Sequence, residues 1–502
     1  MSALRLQYFL FAALGGIVAV FGFAPTHFYL LPILSLAMLF GLWARVDSPR
    51  VAAALGFAFG LGLFGVGIGW VYVALHEFGN MPVWLAFIAT FLFVAFYALF
   101  PALAGYLQAK LGLSDALKFT LLLPALWVAM EMLRGYLFTG FPWLVLGYSQ
   151  VPLSPLAAYA TVFGVYGVSL AVALSAGLIM LLAQQRWNRQ GKLVLVGVIA
   201  LWLVATVLGM AEWTRPQGEP VKVSLLQGNI AQGDKFDDAQ FVNTLETYRR
   251  LAQQSDARLI VFPETALPLL RENLPGSYAE LLREQAKQNA SDVLLGSFEQ
   301  ESGRYYNSMT SLGVSAEQVY RKNHLVPFGE FIPLRSLLGW FINEVLSIPM
   351  SDLSRGGDRQ PLLRLAGQQI AVNICFEDVF GEEIIRALPQ ATLLVNTSND
   401  AWYGDSDAAI QHNQISQMRA LETGRMMLRA TNTGVTSVID RDGRIIKMLP
   451  QHEEGVLTAE VQGYAGATPY VRWGNWAVLA LLLAMLLAVW RFKRSSANGE
   501  NV

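Results

Sequence analysis

The feature that most constrains this chain is repeated: seven apolar stretches precede residue 213 and one follows residue 474. They run approximately over 5–23, 28–44, 51–75, 83–109, 118–138, 156–184 and 193–212, and then over 475–491. Crossing about 30 Å of hydrocarbon takes roughly 20 apolar residues in a helix, and each stretch is near that length. Between the last two stretches, residues 214–474 carry most of the acids and bases. A soluble fold does not hide this much apolar surface, since 54% of the chain is hydrophobic and only 15% is charged. The expectation is a membrane domain over 1–213, a water-soluble domain over 214–474, and an eighth span with a tail over 475–502. The first stretch has only Arg5 ahead of it and no clear small-residue cleavage site, so it reads as a span and not as a signal peptide. A net charge of −1 offers no basic field for nucleic acid.

Loop charges set the expected orientation, because Lys and Arg collect on the cytoplasmic side. Arg45 and Arg50 lie between the second and third stretches, Lys110 and Lys118 between the fourth and fifth, and Arg186, Arg189 and Lys192 between the sixth and seventh. Arg491, Lys493 and Arg494 follow the eighth. The alternate loops 24–27 and 76–82 have no Lys or Arg, and the fifth-to-sixth connection has only Arg134. Both termini are therefore expected in the cytoplasm and 214–474 on the opposite side, the periplasm in a bacterium. The third stretch holds Gly56, Gly60, Gly62, Gly65, Gly67 and Gly69, a spacing that suits close helix packing better than a nucleotide loop. Glu131 and Arg134 are costly near a span end and should have partners or a task. For Arg134, anchoring of the aromatic run 138–143 and contact with a lipid headgroup both stay open.

From Val221 the pattern changes to short β-rich runs alternating with amphipathic segments. Strands are predicted over 222–227, 258–263, 292–299, 305–313, 369–376, 391–396, 434–440 and 456–461, and helices over 238–254, 276–289, 380–387 and 409–429. This alternation predicts one α/β domain with helices on the sheet faces and chemistry at strand ends. Three strand ends stand out. One is Leu259-Ile-Val-Phe-Pro-Glu264, which presents a carboxylate. A second runs from Lys322 to a turn carrying Glu330. The third is Asn373-Ile-Cys375-Phe-Glu377.

Cys375 is the only cysteine, which excludes an intrachain disulfide and a multi-cysteine metal site. Alone, it reads more readily as an inert buried thiol than as a nucleophile. Alone, Glu264 and Lys322 read equally well as surface groups, and Glu330 as a turn acid. Together they answer a chemical need: a thiol requires a base and a nearby cation, and attack on a carbonyl creates an oxyanion that requires positive charge or fixed donors.

The order Phe-Pro-Glu264, Arg-Lys322 and Ile-Cys375-Phe-Glu377 resembles the Glu–Lys–Cys signature of the nitrilase superfamily. Lys322-Asn-His-Leu-Val-Pro-Phe-Gly-Glu330-Phe-Ile-Pro resembles the apolipoprotein N-acyltransferase family in particular, as do Thr-Gly-Phe-Pro-Trp143, Gly-Trp-Val-Tyr (69–72) and Ser-Asn-Asp-Ala-Trp402-Tyr403-Gly. The resemblance covers nearly the whole chain. It implies a nitrilase-like α/β/β/α sandwich inserted between the seventh and eighth transmembrane helices of a bacterial inner-membrane enzyme. It also implies no metal or organic cofactor. Cys375 would take an acyl chain from a phospholipid, typically phosphatidylethanolamine, as a thioester. The α-amino group of an apolipoprotein's N-terminal diacylglyceryl-cysteine would then attack it. The resemblance makes Glu264 the general base and Lys322 the stabiliser of the tetrahedral intermediate, with Glu330 and Glu377 orienting Lys322 and the nucleophile. Trp402 and Tyr403 match family positions near the active site, and with Phe236 and, on the headgroup alternative, Arg134 they are the residues expected at the substrate. Phe236 stands in a Lys-Phe-Asp segment where some members have Lys-Trp-Asp, so a hydrogen-bonding role there is in doubt.

The apolar segment 334–349 reads either as a core-packed helix or as an amphipathic arm on the outer leaflet beside a lipid access path, and the second is preferred. His324 reads as structural, since no His-Glu-x-x-His pattern occurs. A monomer is expected. The competing function is a membrane-tethered amidase or nitrilase acting on a small C–N substrate, which keeps the triad but leaves the eight spans unexplained.

Overall fold

The computed structural model describes residues 3–184, 189–235, 237–333 and 352–499. They form two compact units, one from residues up to Tyr72, Phe87–Ala211 and from Arg472 onward, the other from Val73–Ala86 and Glu212–Val471. Phe236 and the apolar segment 334–349 lie outside the described residues.

The first unit is helical. Among the described residues, six helices are long and apolar enough to cross a membrane: Pro49–Gly67, Val83–Leu111, Asp115–Thr139, Pro155–Gln184, Arg189–Leu208 and, after the α/β unit, Trp476–Ser495. Leu6–Val20 and Leu30–Trp43 are apolar but shorter. Phe87, Phe91 and Leu99 are 67%, 51% and 54% exposed, a belt that only lipid would cover at no cost. The glycines of the third stretch make room for their neighbours. A Cβ on Gly62 would lie 2.1 Å from the Ala13 carbonyl oxygen, and one on Gly56 2.3 Å from that of Pro101. Both buried ionisable groups here have partners. Glu131 accepts from Trp127 Nε1 at 3.0 Å and the Leu146 amide at 2.9 Å. Arg134, 3% exposed, donates to the carbonyls of Phe141 at 3.0 Å and Trp143 at 2.5 Å.

The second unit is a sandwich. In chain order its strands are β1 (Thr214–Pro216), β2 (Val221–Gln227), β3 (Leu259–Val261), β4 (Asp292–Glu301), β5 (Arg304–Gly313), β6 (Val319–Arg321), β7 (Leu363–Leu365), β8 (Gln368–Ile374), β9 (Leu393–Ser398), β10 (Met427–Thr431), β11 (Thr436–Ile439), β12 (Ile445–Leu449), β13 (Gly455–Val461) and β14 (Tyr464–Gly466). One six-stranded sheet has the order β13-β2-β3-β4-β5-β6, the other β12-β11-β10-β9-β8-β7, and β1 pairs with β14. The centre of each sheet is parallel: Val223 pairs with Leu259 and Val261 with Leu294, while Ile374 pairs with Thr397 and Thr431 with Ser398. These strands are buried along nearly their whole length, as continuous runs such as Leu259-Ile-Val require. Asp238–Gln253 and Gly276–Gln288 cover the first sheet through Tyr248, Leu251, Leu282 and Ala286. Ala408–Thr423 covers the second through Ala420, which packs with Leu394 and Met427.

Three readings of the sequence need correction. The helix expected over 409–429 stops at Thr423, because Gly424 takes a left-handed φ of +63° and the chain turns into β10. The strand expected over 369–376 stops at Ile374. Cys375 has a φ of +53° and opens a tight turn to Val379, so the thiol stands on a strained bend beyond the strand. The third helix stops at Gly67, short of the expected residue 75, and Val73–Ala86 belongs to the α/β unit. There Phe78 packs its ring edge-on to Trp402 at 6.2 Å.

Candidate active site

Parallel strands deliver their C-terminal ends to one region, and the loops leaving them carry the reactive groups. Glu264 follows β3, Lys322 follows β6, Cys375 follows β8 and Asn399 follows β9. The loop after β3 is pressed onto β4, where a Cβ on Gly296 would lie 2.2 Å from the Pro263 carbonyl oxygen. Only glycine lets Glu264 sit so close to the sheet.

Glu264 is 6% exposed and uses both carboxylate oxygens. Oε1 accepts from Asn307 Nδ2 at 2.7 Å and from Lys322 Nζ at 3.2 Å, and Oε2 from the Asn399 amide at 2.8 Å. Lys322, 1% exposed, also donates to Glu330 Oε1 at 2.9 Å. The other oxygen of Glu330 accepts from the Val326 amide at 2.9 Å, which closes its own turn. Burial by itself would lower Lys322, but the carboxylates of Glu264 and Glu330 hold it well above the usual lysine range. Burial by itself would raise Glu264, and the ammonium groups of Lys322 and Lys235 outweigh it, so the carboxyl stays below its ordinary value.

The Cys375 thiol faces the opposite balance. Burial pushes it well up, the Glu264 carboxylate adds to the push, and Lys322 opposes both. At neutral pH the resting pair is thus a thiol and an ionised carboxylate within electrostatic reach of each other, an arrangement chemically suited to passing the thiol proton to the carboxylate. Lys322 supplies the fixed positive charge.

Glu377 does a different job. Its Oε2 accepts from the Ile374 amide at 2.6 Å and the Tyr320 hydroxyl at 2.9 Å. Its Oε1 accepts from the amides of Asn323 at 2.6 Å and His324 at 3.0 Å. One carboxylate therefore ties the end of the cysteine strand to the backbone immediately after Lys322. Burial raises its pKa despite these bonds. Tyr403, at the end of the short turn Asp400–Tyr403, lies within the electrostatic reach of Cys375, and burial raises its hydroxyl well above the usual range. His324 stacks on Phe380 at 3.8 Å, and its Nδ1 lies 3.1 Å from Glu383. Arg134 belongs to the helical unit, where its described hydrogen bonds clamp the aromatic loop 138–143. Those bonds supply the anchoring alternative with a geometry, and the headgroup alternative gains none from them.

Several groups carry no strong signal in the sequence. Asn307, inside β5, bridges Glu264 and Glu330, donating to the latter at 3.2 Å. Beneath Cys375 lies a second charge cluster whose side chains are fully buried: Asp378, Asp400, His412 and Arg429. His412 places Nε2 2.8 Å from Asp378 and Nδ1 3.2 Å from Asp400. Arg429 donates to Asp400 at 2.9 Å and to Asn396 Oδ1 at 2.5 Å, and Asn396 Nδ2 donates to the Cys375 carbonyl at 3.1 Å. The strained bend at the thiol is thus fastened from below. The run Ser-Asn-Asp before Trp402 was the available clue to Asp400. Arg429 was hidden because its strand read as helix. Among the described residues, no group of three or more His, Cys, Asp and Glu side chains is placed to hold a metal ion.

The carbon–nitrogen hydrolase family model matches residues 222–470, and a model of the apolipoprotein N-acyltransferase N-terminal domain matches residues 15–178. A Nitrosomonas europaea protein named apolipoprotein N-acyltransferase is 53% identical over 94% of this chain and 95% of its own length. The chain belongs to that family. A Methylococcus capsulatus protein of the same name is 45% identical over 98% of this chain and 97% of its own. A solved carbon–nitrogen hydrolase from Helicobacter pylori G27 overlaps 48% of this chain and 89% of its own, with 16% identity and a TM-score of 0.37. As a member of the family, the chain is a multi-pass membrane protein and an apolipoprotein N-acyltransferase of the carbon–nitrogen hydrolase superfamily.

Proposed function

We propose that this enzyme moves an acyl chain from a membrane phospholipid, typically phosphatidylethanolamine, to the α-amino group of an apolipoprotein's N-terminal diacylglyceryl-cysteine. The transfer runs through a thioester on Cys375. The observation that carries this reading is the meeting of Glu264, Lys322 and the chain's single thiol at neighbouring strand ends, in the protonation states a first attack needs.

In the first half-reaction Glu264 takes the thiol proton as sulfur attacks the ester carbonyl, and Lys322 faces the oxyanion that forms. The carbon–oxygen bond to glycerol breaks, Glu264 returns its proton to the departing oxygen, and lysophospholipid leaves. In the second the amine attacks the thioester and gives a proton to Glu264. The carbon–sulfur bond breaks, the thiolate recovers that proton, and an amide remains. No external energy source is required, because the phospholipid ester already holds the acyl group in transferable form. Glu330 holds Lys322 in place, and Glu377 keeps the cysteine bend in register with it. Tyr403, Trp402 and Phe236 are assigned to substrate contact, and Arg134 to anchoring the aromatic loop 138–143.

Counting the two shorter apolar helices, the chain spans the bilayer eight times. Both termini are cytoplasmic and the sandwich faces the periplasm, placed between the seventh and eighth spans. The enzyme acts as a monomer. Excluding water from the acyl-enzyme favours the amine over hydrolysis.

Rapid mixing of the purified enzyme with phosphatidylethanolamine tests this. Without acceptor, lysophospholipid should appear as a burst equal in amount to the enzyme, and a diacylglyceryl-cysteine peptide should convert the burst to turnover. Release of lysophospholipid only when acceptor is present, or ammonia from small amides in its place, would overturn the reading.

A further inference from the structure

The triad accounts for one lysine, but a second is buried beside it. Lys235 ends the turn after Gln232, is 3% exposed, and donates from Nζ to the Glu264 backbone carbonyl at 3.3 Å. Its charge bears on both Glu264 and Cys375. A buried ammonium with one long hydrogen bond to a neutral oxygen is costly unless its charge is used.

Charge accounting shows the use. Around the thiol stand the carboxylates of Glu264 and Glu330 and the ammonium of Lys322. Without Lys235 this group is negative even while the thiol keeps its proton. Moving that proton to Glu264 then creates a thiolate inside an already negative site. With Lys235 the site is neutral, both before and after the transfer. The other groups facing the thiol do not supply this balance. Asp400 is negative and is matched by Arg429, and Tyr403 is uncharged. Ser398, which lies beside the thiol, is neutral too.

We propose that Lys235 is an electrostatic positioning residue of the active site, whose ammonium makes up the charge that lets Cys375 and Glu264 share a single proton. It acts through those two groups and touches no reacting atom. The proposal rests on the assignment of Cys375 as nucleophile. Burial brings Lys235 down to about 7 against the opposing pull of Glu264 and Cys375, so its charge is lost as pH rises through that value. The site thereby acquires a titration that an arginine would lack.

The experiment uses the full-length enzyme in detergent. As Cys375 is the only cysteine, iodoacetamide reports on it alone, and its alkylation rate is followed against pH in wild type, Lys235→Met and Lys235→Arg. Below about pH 7, where Lys235 carries its charge, the Met variant should alkylate roughly tenfold more slowly than wild type, and the two profiles should converge as pH rises above that value. The Arg variant keeps its charge at all pH values, so its midpoint should lie below that of wild type. Superimposed profiles would overturn the proposal. If the Met variant fails to fold, the Arg variant decides alone, and a midpoint equal to or above wild type sinks the idea. Failure of the nucleophile assignment would show differently, as acyl transfer surviving in Cys375→Ala.

Discussion

The α/β unit holds two buried charge clusters of the same make-up, two carboxylates and two cations each. In one, Glu264 and Glu330 face Lys322 and Lys235; in the other, Asp378 and Asp400 face His412 and Arg429. They differ in what their charges are spent on. The lower cluster is closed. Both imidazole nitrogens face carboxylates, and burial and Arg429 are outweighed, so His412 stays charged above its ordinary range. Arg429 and Asp400 likewise hold each other ionised. No proton is left to move, and the cluster's outward product is the position of the Cys375 carbonyl through Asn396. The upper cluster is incomplete by one proton, which belongs to Cys375 or to Glu264. On the proposed reading, equal charge serves as scaffold in one place and as reactivity in the other, and the titratable thiol decides which.

The largest effects should separate the clusters by readout. Cys375→Ala, Glu264→Gln and Lys322→Arg, none of which strands two carboxylates, should each lower acyl transfer by about 10³-fold or more while the melting temperature moves little. A collapse of stability in these variants would make the upper cluster scaffold as well. Arg429→Met should behave oppositely. Stranding two buried carboxylates should cost about 3–5 kcal/mol of stability, visible in thermal or denaturant unfolding, with activity lost in proportion to the unfolded fraction. A folded but inactive Arg429→Met would give that arginine a catalytic part.

The pH dependence sharpens the contrast further. The folded pKa of His412 is raised, so its stabilisation is complete below its unfolded value near 6.5 and is lost as pH rises through the folded value. Asp378 and Asp400 are lowered, and their contribution holds above about 4 and fades as pH falls through their folded values. The melting-temperature gap between wild type and His412→Asn should therefore narrow on the alkaline side. A gap independent of pH would mean that His412 is neutral. The smallest effect concerns the rim. Phe78 and Trp402 should couple by about 0.5–1.5 kcal/mol in a double-mutant cycle, and additivity would show that Val73–Ala86 does not grip the catalytic unit there.

Much of this was legible in the residues. Apolar stretches of span length, β-rich runs ending in Glu264, Lys322 and Cys375, and glycines at helix-packing spacing are local patterns, and local patterns survive in a sequence. The misses have one cause. Asn307, Lys235 and Arg429 matter through partners that are 43, 29 and 51 positions away in the chain, separations that no periodicity encodes. Reading 409–429 as one helix ignored Gly424, whose left-handed turn was the only local mark of β10. Arg134 was noticed because charge near a span end is rare, but its carbonyl partners, Phe141 and Trp143, depend on how the following loop folds back.

The central claim is that Cys375 carries the acyl chain. Its most direct test is to mix the enzyme with phospholipid bearing a labelled sn-1 chain, quench without acceptor, and weigh the proteolytic peptide containing residue 375. The account predicts that peptide heavier by one acyl group, with the label removed by neutral hydroxylamine and absent from Cys375→Ala. An unmodified peptide in an enzyme that still acylates its acceptor would contradict it.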